Sequence, residues 1–322
     1  MSVFCKVLLI IAVIAIVLGA ALFVVALAVS GWNLGNISSK NNVTNTYELN
    51  EKLESISIKG SSDSVVIAPS MDGSCRVVCN ENERKLHSVT VEDGVLKIAE
   101  NDNLSWLERM IFSWNKTSVT VYIPKGAYEK LTVDITTGDV SVSGGFTFAD
   151  VDISLTTGDV SVFDITASGV SLSLTTGDVS VSSVRASTFN LKTTTSDIEI
   201  ATLACSGQVN VELTTGDLCA TGVSCKSFSA MSGSTGDVSL SGVIAEESIS
   251  VKRTTGDITL DGVDAKDIYV KTTTGDVKGS LLSGKSFDAS ATTGKVRVPE
   301  DSNGGKCEIK TTTGDIEITV SQ

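Results

Sequence analysis

From residue 127 onward, apolar and polar residues alternate at every second position, and the whole pattern returns after 19 or 20 residues. The clearest marker is Thr-Thr-Gly-Asp or a near variant, whose third position falls at Gly138, Gly158, Gly177, Ser196, Gly216, Gly236, Gly256, Gly275, Gly294 and Gly314. Aligned on it, the fifth residue before the marker is Val133, Ile153, Leu172, Leu191, Val211, Met231, Val251, Val270, Ala289 or Ile309. The second residue after it is Val140, Val160, Val179, Ile198, Leu218, Val238, Ile258, Val277, Val296 or Ile316. Period-two alternation predicts strands with one buried face. Inward positions are odd before the marker and even after it, so a corner lies at Thr-Gly-Asp. A second glycine, as in Gly222, Gly242 and Gly262, predicts another bend. Two short strands per coil, stacked on copies of themselves, make an all-β, single-chain β-solenoid of about ten coils. At ~4.8 Å per coil it would extend roughly 48 Å.

The preceding residues follow other rules. Residues 7–29 are uncharged and continuously apolar, long enough at 1.5 Å per residue to cross a bilayer as one transmembrane α-helix. Lys6 precedes this span and no basic residue follows before Lys40. That asymmetry predicts a cytoplasmic tail at 1–6 and a single-pass cell-membrane protein with its C-terminal ectodomain outside. Residues 30–46 are polar and without periodicity and read as a linker. Residues 47–126 show short strand signals separated by turns, an N-terminal β-region covering the first coil. Within it, residues 104–114 carry Leu104, Leu107, Ile111 and Trp114 at helical spacing, an amphipathic insert suited to plugging the solenoid end or resting on a surface. Residues 127–322 are the solenoid.

Charge and composition narrow the function. The 322 residues carry a formal charge of −13, which disfavours nucleic acid as a partner. Stacking places Asp139, Asp159, Asp178, Asp197, Asp217, Asp237, Asp257, Asp276 and Asp315 in one column, with Lys295 as the exception. Aspartate accepts local backbone N–H groups at corners. The competing reading, calcium between coils, has few ligands per coil and lacks the calcium-solenoid pattern. The threonine columns suit strands, and adjacent threonines are expected to point to opposite faces. Cys205 and Cys225 occupy equivalent repeat positions and predict stacked neighbours, either bridged or as two free thiols. Cys307 falls on a core position. The spacing leaves no room for catalytic loops, and His87, the single histidine, lies outside the repeats. No catalytic, cofactor-binding or metal-ligating residue is assigned, and no enzyme is expected.

The strand-rich lead with "EDGVLKI" and "SVTVYIPKGAYEKLTVDITTGDV", followed by iterated "TTGDV", resembles a bacterial cell-envelope domain labelled as an adhesin and related to a protein of the Lia envelope-stress operon. The resemblance covers residues 50–322 and implies a β-solenoid at the cell surface. The expected function is a membrane-anchored binding or structural module. Its partners would be the lipid bilayer, through residues 7–29, and a surface glycan or envelope protein. The alternative is an accessory in envelope-stress signalling. A mainly monomeric ectodomain is expected, with its open edge at the last repeat, Asp315 to Val320.

Overall fold

The structure, a computed structural model, describes residues 42–82, 86–100, 117–300 and 304–321. The span 7–29 and the insert 104–114 lie outside them. Among the described residues, no helix is long and apolar enough to cross a membrane.

The repeats form a parallel β-solenoid. Val160, Val179, Ile198, Leu218, Val238, Ile258 and Val277 pair in register from coil to coil. Their side chains stack in one buried column with Val140. Parallel strands buried this way need an apolar inner face, which the even positions after the marker supply. The interior is wider than small residues alone would fill, because Phe146, Phe148, Phe189 and Phe228 are fully buried in it. The early coils are not two short strands each. Val140–Thr157 is one strand of 18 residues, and Val160–Thr176 continues unbroken for 17. The second bend falls on a residue in the left-handed region, inside a strand at Asp164, Ser183, Thr202, Gly222 and Gly262 and between strands at Gly242.

Two inward assignments fail: Val296, on the coil at the open end of the stack, is 40% exposed, and Met231 turns outward. Met231 is half exposed, while Phe228 and Ala230 take the buried positions. The coil before Gly236 keeps its 20 residues but moves one of them. Cys225 pairs with Ala245 and Ser227 with Ser248, and Leu213 pairs with Ser232 while Thr215 pairs with Thr235. The corner after Cys225 is thus one residue shorter and the approach to Thr235 one longer, which turns Met231 outward.

The end of the stack also departs from chain order. Lys306–Thr313 pairs on one side with Asp267–Lys271 and on the other with Ser286–Thr293. Likewise Ile316–Val320 lies between Val277–Leu281 and Val296–Arg297. The last repeat in sequence is therefore inserted beneath the one before it. The open edge is the coil of Ser286–Thr293 and Val296–Arg297, not Asp315–Val320. Two local features permit the crossing. Lys285 is buried where the chain skips a layer, donating to Ala265 O at 2.6 Å and pairing with Asp264 at 2.7 Å. Gly304 and Gly305 mark the return, where a Cβ would stand 1.9 Å from Gly284 O and 1.6 Å from Lys266 O.

At the other end, Ser55–Gly60 pairs in parallel with Ala127–Thr137 and Asp63–Pro69 with Val140–Thr157, adding a partial coil. Antiparallel strands complete this cap. Cys75–Asn82 joins Thr117–Ile123 to Asn42–Leu49, and His87–Glu92 forms a hairpin with Val95–Glu100. Residues 42–46, expected as linker, are part of the first of these strands. Their alternation was hidden because polar Asn and Thr occupy it on both faces.

Candidate functional site

Two places concentrate polar chemistry: the corner column along the solenoid and a buried cluster in the cap.

At each corner the marker glycine lies directly on a backbone carbonyl of the neighbouring coil. A Cβ on Gly158 would stand 2.0 Å from Gly138 O, and one on Gly177 the same distance from Gly158 O. Both residues have φ near +135°, so glycine is required by close approach as well as by backbone shape. Ser196, the exception, is buried, and its hydroxyl bonds that of Thr193 inside the corner. The aspartate that follows hands the chain on. Oδ1 of each Asp accepts the backbone N–H of the equivalent residue one coil further, at 2.7–3.1 Å from Asp139 through Asp276. The column ends with Lys295 N donating to Asp315 Oδ1 at 2.7 Å. Lys295 belongs to the outermost coil, where no further N–H arrives. Its departure from the pattern thus reflects the inserted last repeat.

The Asp column borders a groove of about 760 Å³ running across successive coils. Its floor carries the outward residues two positions beyond each Asp, including Ser141, Ser161, Ser180 and Glu199. Phe163 stands two residues past Ser161 on the same strand face and is 49% exposed. The paired threonines flank the corners, and both columns reach solvent; the turn abolishes the strict alternation expected of them. Cys205 and Cys225 follow the paired residues Ala204 and Ser224 on adjacent coils and are free thiols. Burial, then the neighbouring Cys205 and Glu246, pushes the Cys225 thiol up to about 12. Cys307 is buried, as expected of a small apolar residue.

Sequence reasoning missed the second place. The imidazole of His87 is 1% exposed and lies between two buried carboxylates. Its Nδ1 is 2.7 Å from Glu81 Oε2, which also accepts the His87 backbone N–H at 2.6 Å. Asn45 bonds the other oxygen, Oε1. Nε2 is 3.1 Å from Asp63 Oδ1, an oxygen that also accepts from the Thr117 hydroxyl. Burial pulls the His87 pKa down, but Asp63 and then Glu81 outweigh it, so the net shift is upward. Burial, helped by Glu81 and Asp63, pushes the Cys79 thiol up to about 12. Among the described residues, two ligand groupings exist here: Cys79, Glu81 and His87, and Asp63, His87 and Glu100. Cys79 and Glu81 share one strand, with His87 six residues on from Glu81, but Asp63 and Glu100 join them from two further strands and could not be read from spacing.

The chain belongs to the Toastrack DUF4097 family, which it matches over residues 53–233 and 221–322. No curated protein matches it. Among solved structures it is similar to a "putative adhesin" from Bacteroides fragilis, at 16% identity and a TM-score of 0.41, over 87% of this chain and 98% of that one. A "putative adhesin" from Parabacteroides distasonis gives 12% identity and a TM-score of 0.43, with the same coverage of both chains. A "putative lipid binding protein" from Parabacteroides distasonis gives 13% and 0.34, again over 87% and 98%. Likeness at this level says nothing about what this chain binds.

Proposed function

We propose that the protein is a non-catalytic surface module, anchored in the cell membrane through residues 7–29, that holds an envelope glycan along its corner face. The observation that carries this reading is the groove itself. It offers carboxylates and hydroxyls at the coil repeat, and the exposed ring of Phe163 lies beyond its lining, two residues past Ser161. Each Asp uses Oδ1 for the stack. The second oxygen of each carboxylate, with the serine hydroxyls, can bond sugar hydroxyls. Phe163 supplies the apolar face that a sugar ring needs. Repeated weak contacts along one polymer add through effective concentration. The regular corners leave catalysis no projecting loops on which to assemble.

The test is binding of purified cell-wall polysaccharide fragments to the full chain in detergent. Asp159→Asn/Asp178→Asn keeps the Oδ1 acceptors while removing charge, and Phe163→Ala removes the ring. Several-fold weaker binding in both variants supports the reading. Unchanged affinity in both overturns it.

A further inference from the structure

We propose that the cap holds a first-row divalent cation such as Zn²⁺ on Asp63, His87 and Glu100, clamping the hairpin to the body of the solenoid. The ligands come from different strands. Asp63 opens the strand paired with the first coils, while His87 and Glu100 face each other across the hairpin. One ligand atom from each lies within 4.8 Å of the others.

His87 is set as a metal ligand rather than as one half of a simple ion pair. Its Nδ1 is occupied by Glu81 at 2.7 Å. That is the arrangement in which a carboxylate fixes the tautomer and leaves Nε2 for a metal. Nε2 is buried and meets no acceptor at hydrogen-bonding geometry. Asp63 Oδ1 is 3.1 Å away, but off the direction of the ring N–H. A cation about 2.1 Å from both atoms would hold them about 3.0 Å apart at a right angle and about 3.4 Å apart at the tetrahedral angle, values that bracket the observed 3.1 Å. The Thr117 hydroxyl bonds the same Asp63 oxygen and fixes its orientation. Ser61 does so for Glu100, through its N–H and hydroxyl to Oε2.

One imidazole with two carboxylates suits Zn²⁺ or a neighbouring transition ion better than calcium, which takes oxygen ligands.

The test is zinc binding by the chelator-treated full chain in detergent, read by elemental analysis and by competition with a chromophoric chelator. We expect one zinc per chain and a rise in Tm on loading. Glu100→Gln, which keeps the size of this partly buried side chain, should abolish both. Glu81→Gln should weaken binding about 10–100-fold without abolishing it, as loss of an outer partner does. Glu92→Gln, on the same hairpin but exposed, should leave binding intact. Absence of zinc uptake at micromolar free zinc by folded protein overturns the proposal. So does uptake that Glu100→Gln leaves unchanged, which would place the ion elsewhere.

Discussion

Two residue columns set opposite tolerances for a side chain at a bend. At Gly177 a Cβ would stand 2.0 Å from a backbone oxygen that cannot move aside. Gly177→Ala should therefore cost more than about 3 kcal/mol, beyond the usual range for a surface change. At the second bend the constraint is conformational. Thr202 sits at φ 57°, costly for a β-branched residue, and at Gly222, its equivalent one coil on, a Cβ would meet only ordinary contacts, 3.9 Å from Thr202 N. Thr202→Gly should stabilise the protein by about 0.5–1 kcal/mol, the glycine's extra unfolded-state freedom offsetting part of the relief. Urea midpoints of the two variants check both signs. A third prediction concerns Glu308, whose hydrogen bonds to Lys306 and Lys310 hold its carboxyl at about 2. Its folded value is below the ordinary ~4.3. Its contribution is thus present above pH 4 or so and is lost as pH falls through about 2. Carbon-13 titration of the carboxyl should show this, with return toward ~4.3 in Lys306→Met/Lys310→Met.

At the scale of the strand and its corner, the aspartate column acts as a set of acceptors rather than as a field of charge. Asp178 accepts Asp197 N–H at 3.0 Å. Asp178→Ala should lower stability by about 1 kcal/mol, the net worth of one hydrogen bond. Asp178→Asn, which keeps an acceptor, should be close to neutral. Equal losses in both would mean that the carboxylate charge matters. The strands and the glycine corners were legible in the sequence because apolar alternation and Thr-Thr-Gly-Asp mark them independently. Met231 was not, since moving one residue between two corners preserves the 20-residue spacing while reversing the face. Arg253 was missed for a related reason. It occupies an inward position, filled by Leu155, Leu174 and Leu213 in other coils. Its guanidinium instead donates to the carbonyls of Gly236 and Gly216. Nothing in a repeat alignment shows that the corner carbonyls face inward. His87 escaped because its partners Asp63 and Glu81 meet it only once the cap is assembled.

At the scale of the whole molecule, repeat spacing fixes how many coils exist but not the order in which they stack. The step from Gly294 to Gly314 is 20 residues, as elsewhere, yet the two corners are exchanged in space. Lys295 and the Gly304-Gly305 pair were the visible signals, and each is intelligible only after the exchange is known. Cross-linking separates the two orders. Tyr269 pairs with Glu308, and Asp288 pairs with Glu308 from the far side. A Tyr269→Cys/Glu308→Cys protein should close a disulfide, since neighbouring strands lie ~4.8 Å apart. Tyr269→Cys/Asp288→Cys should remain reduced, its Cα atoms being two strands apart. The opposite outcome would restore simple sequential stacking.

The inserted repeat also governs the order in which the molecule can be finished. During vectorial synthesis each earlier coil has its landing surface ready when it emerges, so the stack grows like a zipper. Residues 286–297 emerge before the layer on which they finally rest, Lys306–Thr313 and Ile316–Val320, has been made. A chain halted at residue 305 would therefore expose the edge of Asp267–Lys271 and Val277–Leu281 and carry an unseated repeat. Closure is then a single late event that requires residues 306–320. The fold thus distinguishes a chain that has reached Val320 from one halted before Lys306, before any outside factor inspects it.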